Sequence, residues 1–313
     1  MRRGTQIMPY YLLMDVGGTG IKAGGMDQNG KIQCKIRTFP SKAKANKEEI
    51  FQNFAWIIEQ MEDEISKKNV AFSGIGMAFP GPFDYEKGIS LMRGLDKYDA
   101  IYNCPIREKI LECMEKKPLF HEYEKCDFIF LHDVEAFAVG ESQFGQAASV
   151  KKIFCLCIGT GAGSAFVDNG NVVKEGIGIP ENGWIYQSPF LDGIIDDWIS
   201  VRGLRRIAGQ ENLQDVDGKE LYELARQGDP RALKSFLQFG QNIPRALDPF
   251  LNSFKPDAVV LGGNISRSFV YFGEPLKKDC EKRGIKLILT EDTSRRTLEG
   301  LYTIFQKRRS CNG

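Results

Sequence analysis

Two stretches of this chain share one pattern, in which a short apolar run breaks into clustered glycines and then resumes as a second apolar run. Residues 10–16 end in Gly17-Gly18-Thr19-Gly20 and continue through residues 21–25; residues 153–158 end in Gly159-Thr160-Gly161-Ala162-Gly163 and continue through residues 164–167. Short apolar runs bounded by turn residues read as strands, so each stretch reads as a β-hairpin with a glycine-rich turn. A Walker A loop would need Gly-Lys-Ser/Thr opening a helix, and a dinucleotide fingerprint also runs from strand into helix, so both are excluded. A phosphate cradle remains. Without a Cβ in the way, successive backbone N–H groups can converge on phosphate oxygens, and Thr19 adds a hydroxyl donor. Asp15, at the end of the first strand, is placed to hold Mg²⁺ directly or through water, as a hard cation prefers. Lys22 follows on the returning strand. The competing reading of each turn is an ordinary hairpin; two of them together suit the clamping of a triphosphate.

The rest of the chain alternates strands and helices, which argues an α/β fold throughout. Residues 47–67 carry apolar side chains at helical spacing, residues 70–79 form a strand candidate closed by Pro80-Gly81-Pro82, and a further helix is expected over 105–116. A buried strand over 126–131 runs into a helix over 133–144, residues 193–253 are mostly helical, a strand at 258–261 reaches Gly262-Gly263-Asn264, and a last strand and helix cover 285–306. A chain of 313 residues with 42% hydrophobic content exceeds what one core usually supports, about 250–300 residues. Two lobes are therefore expected, at 1–125 and 126–313, with the last helix able to pack back on the first lobe.

Composition removes several function classes. Lys and Arg total 42 against 41 Asp and Glu, so the molecule projects little net field toward nucleic acid or an anionic membrane. No run approaches the roughly 20 apolar residues of a membrane helix. Eight scattered cysteines without paired metal spacing, and a start lacking a long apolar stretch, fit a reducing cytoplasm. Only about nine residues precede the first strand, far short of a helix-turn-helix, so direct DNA binding is not expected.

Two further positions carry chemistry. Asp133 follows Leu131-His132 where a strand gives way to a helix. An N-cap is sufficient reason for Asp there. The same place, read as the C-terminal edge of a central strand facing a ligand crevice, suits a general base whose ionised form the helix dipole favours. Gly262-Gly263-Asn264 could lie flat against an adenosine, or be a plain left-handed turn.

The order of these motifs resembles the ROK family of sugar kinases and repressors. Asp15–Gly20 resembles its first phosphate loop, Gly76–Asp84 its "GIG.PGP.D" segment, and Asp133 with Ala136, Gly140 and Glu141 its "NDANAAALGE" segment. Gly159–Gly163 is similar to the second phosphate loop, Glu181-Asn182-Gly183 to part of an "E.GH" sugar motif, Ser200–Leu204 to a "SGRGL" helix, and Gly262–Ser266 to the adenosine loop. The resemblance runs from about residue 10 to residue 305. It implies the two-lobed fold of actin, hexokinase and the Hsp70 ATPases (ribonuclease H-like), with a central interlobe cleft. It also implies transfer of the ATP γ-phosphoryl group to a sugar hydroxyl, with Mg²⁺ and Asp133 as base. ATP would be held by Asp15, Gly17, Gly18, Thr19, Gly20, Lys22, Gly159, Thr160, Gly161, Gly163, Gly262, Gly263 and Asn264. The sugar would be met by Gly81, Pro82, His132, Asp133, Glu181 and Trp184. Dimers being common among such proteins, a homodimer is the assembly it implies.

The chain departs from the family pattern in places. Trp184 stands where "E.GH" has its His, and an indole N–H only donates, so the acceptor pattern for sugar hydroxyls changes. No thiolate lies between Cys157 and Cys280, so no structural zinc is expected. His132 replaces the Asn before the base; a core or crevice His held by the backbone is its competing reading. Arg93-Gly94-Leu95 takes the place of a "PNL" segment and opens an apparent insertion up to Cys126. A catalytically silent sugar- or nucleotide-binding regulator is the alternative to a kinase.

Overall fold

The computed structural model describes residues 8–65, 70–117 and 120–312, and the backbone separates into two units. The first holds the chain up to Gly140 together with Ser294 onward; the second runs from Glu141 to Thr293.

In the first unit, β1 (Met8–Val16) and β2 (Gly20–Asp27) form the expected hairpin, joined to β3 (Arg37–Pro40). Helix α1 (Lys47–Ile65) follows, its first turn closed by Asn46, whose side chain accepts from the Glu49 N–H while donating to the Glu49 carboxylate. Ile50, Phe51, Phe54, Ile57, Ile58 and Met61 of α1 are all buried, as their spacing predicts; residues 66 and 67 of that expected helix lie outside the described residues. Next come β4 (Val70–Phe79), the short β5 (Phe83–Asp84) and β6 (Ile89–Ser90), α2 (Ile106–Met114), α3 (Phe120–Lys125), β7 (Asp127–His132) and α4 (Asp133–Phe144).

The first sheet has the order β3-β2-β1-β4-β7, with β1, β4 and β7 parallel. Along β1 the side chains alternate. Tyr10, Leu12, Met14 and Val16 pack with α1 and α2, whereas Tyr11 and Leu13 pack with Leu298, Leu301 and Phe305 of the last helix, α11 (Thr293–Asn312). That is the two-residue period of a strand buried on both faces.

Two expectations change here. Strand β7 pairs with β4 from Gly74↔Asp127 to Phe79↔His132, so it completes the first sheet, and the division at 125/126 moves to 140/141. Asp133 thus belongs to the first unit. Strand β7 is also the edge of that sheet rather than a central strand. The described residues between 93 and 125 are built into the first unit's core through Tyr98, Ile101, Ile106, Ile110, Met114 and Tyr123.

The second unit repeats the plan. Its strands are β8 (Lys152–Ile158), β9 (Ala162–Asp168), β10 (Asn171–Val173), a small β11 (Pro189–Phe190) and β12 (Gly193–Ile194) ribbon, then β13 (Ala258–Gly262) and β14 (Lys286–Leu289). Its helices are α5 (Ile195–Trp198), α6 (Val201–Gln210), α7 (Gly218–Arg226), α8 (Pro230–Phe254), α9 (Phe269–Phe272) and α10 (Glu274–Arg283). The sheet order is β10-β9-β8-β13-β14, again two antiparallel pairings followed by two parallel ones. Helix α8 starts with Asp229 as N-cap and Pro230 in its first turn, and ends at Lys255 in the left-handed region.

Helices α4 and α11 touch backbone to backbone within the first unit. A Cβ on Gly140 would lie 1.8 Å from the Arg296 carbonyl oxygen, and one on Gly300 would lie 1.8 Å from that of Ala136. Only glycine permits so close a crossing.

Candidate active site

Each glycine turn sits at the same place in its unit, at the end of the antiparallel hairpin beside the first parallel strand. In the first, Val16 pairs with Ile21 and the Gly17 N–H closes the turn on the Gly20 carbonyl at 3.0 Å. The two carbonyls inside the turn are tied to buried hydroxyls: Tyr98 Oη donates to Gly17 O at 3.0 Å, and Ser41 Oγ to Gly18 O at 2.7 Å. Across a trans peptide the N–H points opposite to the C=O. Fixing these carbonyls therefore turns the N–H groups of Gly18 and Thr19 the other way, toward the exposed face of the turn. Among the described residues neither N–H is taken up by a protein acceptor. Burial holds the Tyr98 phenol well above its ordinary pKa, so it stays a donor.

Asp15 is half-buried at the end of β1, opposite Lys22 in the β1–β2 register. The Lys22 ammonium donates to Ser294 Oγ at 2.6 Å, at the start of α11.

The second turn is shorter, with Ile158 paired to Ala162 and the Gly159 N–H bonded to the Gly161 carbonyl at 2.9 Å. Asp196 braces it by accepting from the Ala162 N–H at 2.7 Å, and its other oxygen is paired with Arg202. The Gly159 carbonyl accepts from the Val201 N–H at 2.9 Å, which fixes the turn to the start of α6, where Ser200 is the N-cap. Thr160 is left exposed, and Gly163 lies two residues into the returning strand opposite Cys157.

Gly262 ends β13 in register with Cys157 of β8. Gly263 has φ +90°, and a Cβ there would lie 2.3 Å from the Ile158 carbonyl oxygen. Its N–H bonds to Thr293 Oγ1 at 3.1 Å, and Asn264, itself exposed, begins a helical turn beside it. The proposed adenosine segment thus lies against the strand end that opens the second turn.

Asp133 opens α4 with a side chain 36% exposed. The His132 imidazole is nearly buried, its Nδ1 3.5 Å from Asp133 Oδ1 and its ring edge-on to Tyr85. Tyr85 Oη donates to the Phe79 carbonyl at 3.1 Å, and the Cα of Gly81 faces both Tyr85 and His132. Gly81, His132 and Asp133 are therefore brought together, with Pro82 next in the chain. Arg93 is exposed and stacks on Tyr102, 5.5 Å from the ring centre.

In the second unit Glu181, Asn182 and Trp184 line a pocket of 280 Å³ with Pro180, Tyr186, Gln187 and Ser188. Ser164, on the strand leaving the second turn, holds the segment: its hydroxyl donates to the Gly183 carbonyl at 2.7 Å and accepts from the Ile185 N–H at 3.0 Å. Trp184 and Tyr186 have ring centres 6.3 Å apart, an aromatic wall suited to the apolar face of a small polar ligand.

No local signal in the sequence marks the bracing residues Tyr98, Ser41, Asp196 and Tyr85. Arg202 lies in the Ser200–Leu204 segment that resembles the "SGRGL" helix, and Ser200, placed before the amphipathic α6, also carries the signal of an N-cap. Among the described residues no cluster of three His, Cys, Asp or Glu side chains is arranged to hold a metal, and no helix is long and apolar enough to cross a membrane.

The ROK family model matches residues 11–292. The chain is 28% identical over 291 residues to a glucokinase of Thermotoga maritima, covering 85% of each, and 23% identical over 297 residues to a beta-glucoside kinase of Listeria monocytogenes, covering 92% of this chain and 93% of that one. Its backbone superposes on a ROK hexokinase of Thermus thermophilus with a TM-score of 0.74 at 23% identity, covering 96% of this chain and 99% of that one. A ROK glucokinase of Streptomyces griseus, solved with glucose and AMPPNP, gives 0.71 at 19% identity, with 94% and 98% covered. With two like-ordered sheets, a glycine hairpin in each, and a family match over most of its length, the chain belongs to the ROK family and has its actin/hexokinase ATPase-like fold.

Proposed function

We propose that this chain is an ATP-dependent carbohydrate kinase, transferring the γ-phosphoryl group to a hydroxyl of a sugar or sugar derivative with Asp133 as general base. The observation that carries the reading is the pair of hairpin turns. In the first, the Gly18 and Thr19 N–H groups are left without protein acceptors while the carbonyls of the same two peptides, Gly17 O and Gly18 O, are tied down. Such donors suit phosphate oxygens, and phosphoryl transfer asks a protein chiefly for positioning and charge neutralisation. Gly17–Gly20 and Gly159–Gly163 would hold the phosphates and Gly262–Asn264 the adenosine.

In the transfer, the sugar oxygen bonds to the γ-phosphorus as the bond to the β-phosphate oxygen breaks, and ADP leaves. The hydroxyl proton passes to Asp133, which stands at the first turn of α4. Mg²⁺ usually keeps several waters and takes one or two carboxylates plus substrate phosphates. The half-buried carboxylate of Asp15 beside the first turn fits that demand, directly or through water, and the ion would neutralise phosphate charge. Glu181 and Trp184 in their pocket, with Gly81, Pro82 and His132 near the base, are the proposed sugar contacts.

That its relatives include a glucokinase, a beta-glucoside kinase and an N-acetyl-D-glucosamine kinase supports a hexose or hexose derivative as acceptor. A catalytically silent binding protein is the second reading, favoured by one observation: the indole of Trp184 lines the pocket and offers no hydrogen-bond acceptor. ATP consumption with Mg²⁺, measured across hexoses, N-acetyl sugars, glucosides and sugar acids, separates the two. Acceptor-dependent turnover supports the kinase; ATP binding with none supports the silent protein.

A further inference from the structure

Residues 94–98 are wound tightly beside the first glycine turn. Gly94, Asp96 and Tyr98 alternate in the left-handed region, with φ of 71°, 56° and 59°. Non-glycine residues keep such a conformation only where their surroundings fix it. Here they do. Tyr98 is fully buried, with Phe54 stacked on its ring and Phe79 edge-on, its N–H bonds to the Ala43 carbonyl at 2.6 Å, and its hydroxyl reaches Gly17. The carboxylate of Asp96 pairs with Lys44, and that of Asp99 accepts from the Leu95 N–H at 3.1 Å.

Between these fixed points stands Lys97. Its Cδ lies 3.3 Å from where a Cβ on Gly18 would be, so its stem crosses the exposed face of the turn and its ammonium sits one methylene further along. Among the described residues that ammonium has no hydrogen-bond or ion-pair partner, and the acidic side chains flanking it in sequence are engaged elsewhere. Lys22, the cation expected at this turn, donates instead to Ser294.

We propose that Lys97 is a phosphate-binding residue of the first glycine turn, placing its charge on the terminal phosphates of the nucleotide beside the Gly18 and Thr19 N–H groups. This rests on the nucleotide-binding part of the kinase reading. A lysine is a mobile point charge on a flexible stem, suited to following a phosphate that is transferred. The absence of a Cβ on Gly18 gives that stem its path.

The test is calorimetric binding of AMPPNP, ADP and AMP to the full chain and to Lys97→Met and Lys97→Arg, alongside acceptor-dependent turnover of the wild type. Lys97→Met should weaken AMPPNP about tenfold or more, ADP less, and AMP not at all, with Lys97→Arg recovering most of the loss and circular dichroism unchanged. Wild-type affinity for AMPPNP in Lys97→Met, or an equal loss for AMP and AMPPNP, would overturn the assignment. Lys97-dependent AMPPNP binding in a protein that phosphorylates no sugar would sustain the assignment and remove the kinase reading. No nucleotide binding by the wild type would remove both.

Discussion

A hydroxyl that holds one carbonyl is a small feature on which the first turn depends. Tyr98→Phe deletes the donor to Gly17 O while keeping the ring between Phe54 and Phe79. The Gly18 N–H then loses its fixed direction. Steady-state kinetics should show KM for ATP raised about two- to tenfold, the range expected for one hydrogen bond, with kcat little changed and melting close to wild type. Equal damage to kcat and KM for the sugar would argue that Tyr98 serves packing alone. Gly263 makes the converse case. An added Cβ meets the Ile158 carbonyl at 2.3 Å in a backbone with φ +90°, so Gly263→Ala should destabilise by about 1–3 kcal/mol, read by denaturant melts, and weaken nucleotide binding through the displaced strand end.

Helix ends and crossings set what the elements can tolerate. The α4–α11 crossing leaves 1.8 Å where a methyl group would go at either Gly140 or Gly300. Gly300→Ala should cost about 1–3 kcal/mol through overpacking, although alanine is the better helix former; a melt at or above wild type would contradict the crossing. At α8, the Asp229 carboxylate is held down to about 2 by its bonds to Arg231, side chain first and then the N–H. A carboxylate depressed in the folded state contributes stability above its unfolded value of about 3.9, and that contribution fades as pH falls through about 2. Asp229→Asn should therefore lower the melting temperature at pH 6, and the difference should shrink as the pH falls toward 2.

Periodicity made these elements legible in the sequence where the signal is local. The stripe of α1, the alternation of β1 and the glycine turns are all written in neighbouring residues. Pairing between strands distant in sequence is not, which is why the sequence alone puts β7 in the second half and does not show it as a sheet edge. The same reason hid Tyr98, which meets Gly17 across 81 residues with no period to announce it. The bond from Lys22 to Ser294, 272 residues on, is likewise one that no local pattern announces.

For the whole molecule, the two units repeat one strand order and each presents a glycine turn at the same hairpin. Nucleotide binding to the native state alone stabilises it by about 2.7 kcal/mol at a hundredfold excess over Kd. AMPPNP with Mg²⁺ should accordingly raise the melting temperature, and EDTA should remove most of that gain if the ion neutralises the phosphates. A rise that EDTA leaves untouched would speak against Asp15 as a magnesium residue.

The proposed kinase delivers the γ-phosphate of ATP to a sugar oxygen by way of Asp133. The most direct measurement of this transfer follows label from γ-³²P-ATP into sugar phosphate and inorganic phosphate, for the wild type and for Asp133→Ala, with the best acceptor from the panel. The label should appear on the sugar with the wild type. It should fall by about 10²–10⁴-fold with Asp133→Ala, while AMPPNP binding persists. Label reaching only water, or reaching the sugar at near wild-type rate in the variant, would contradict the account.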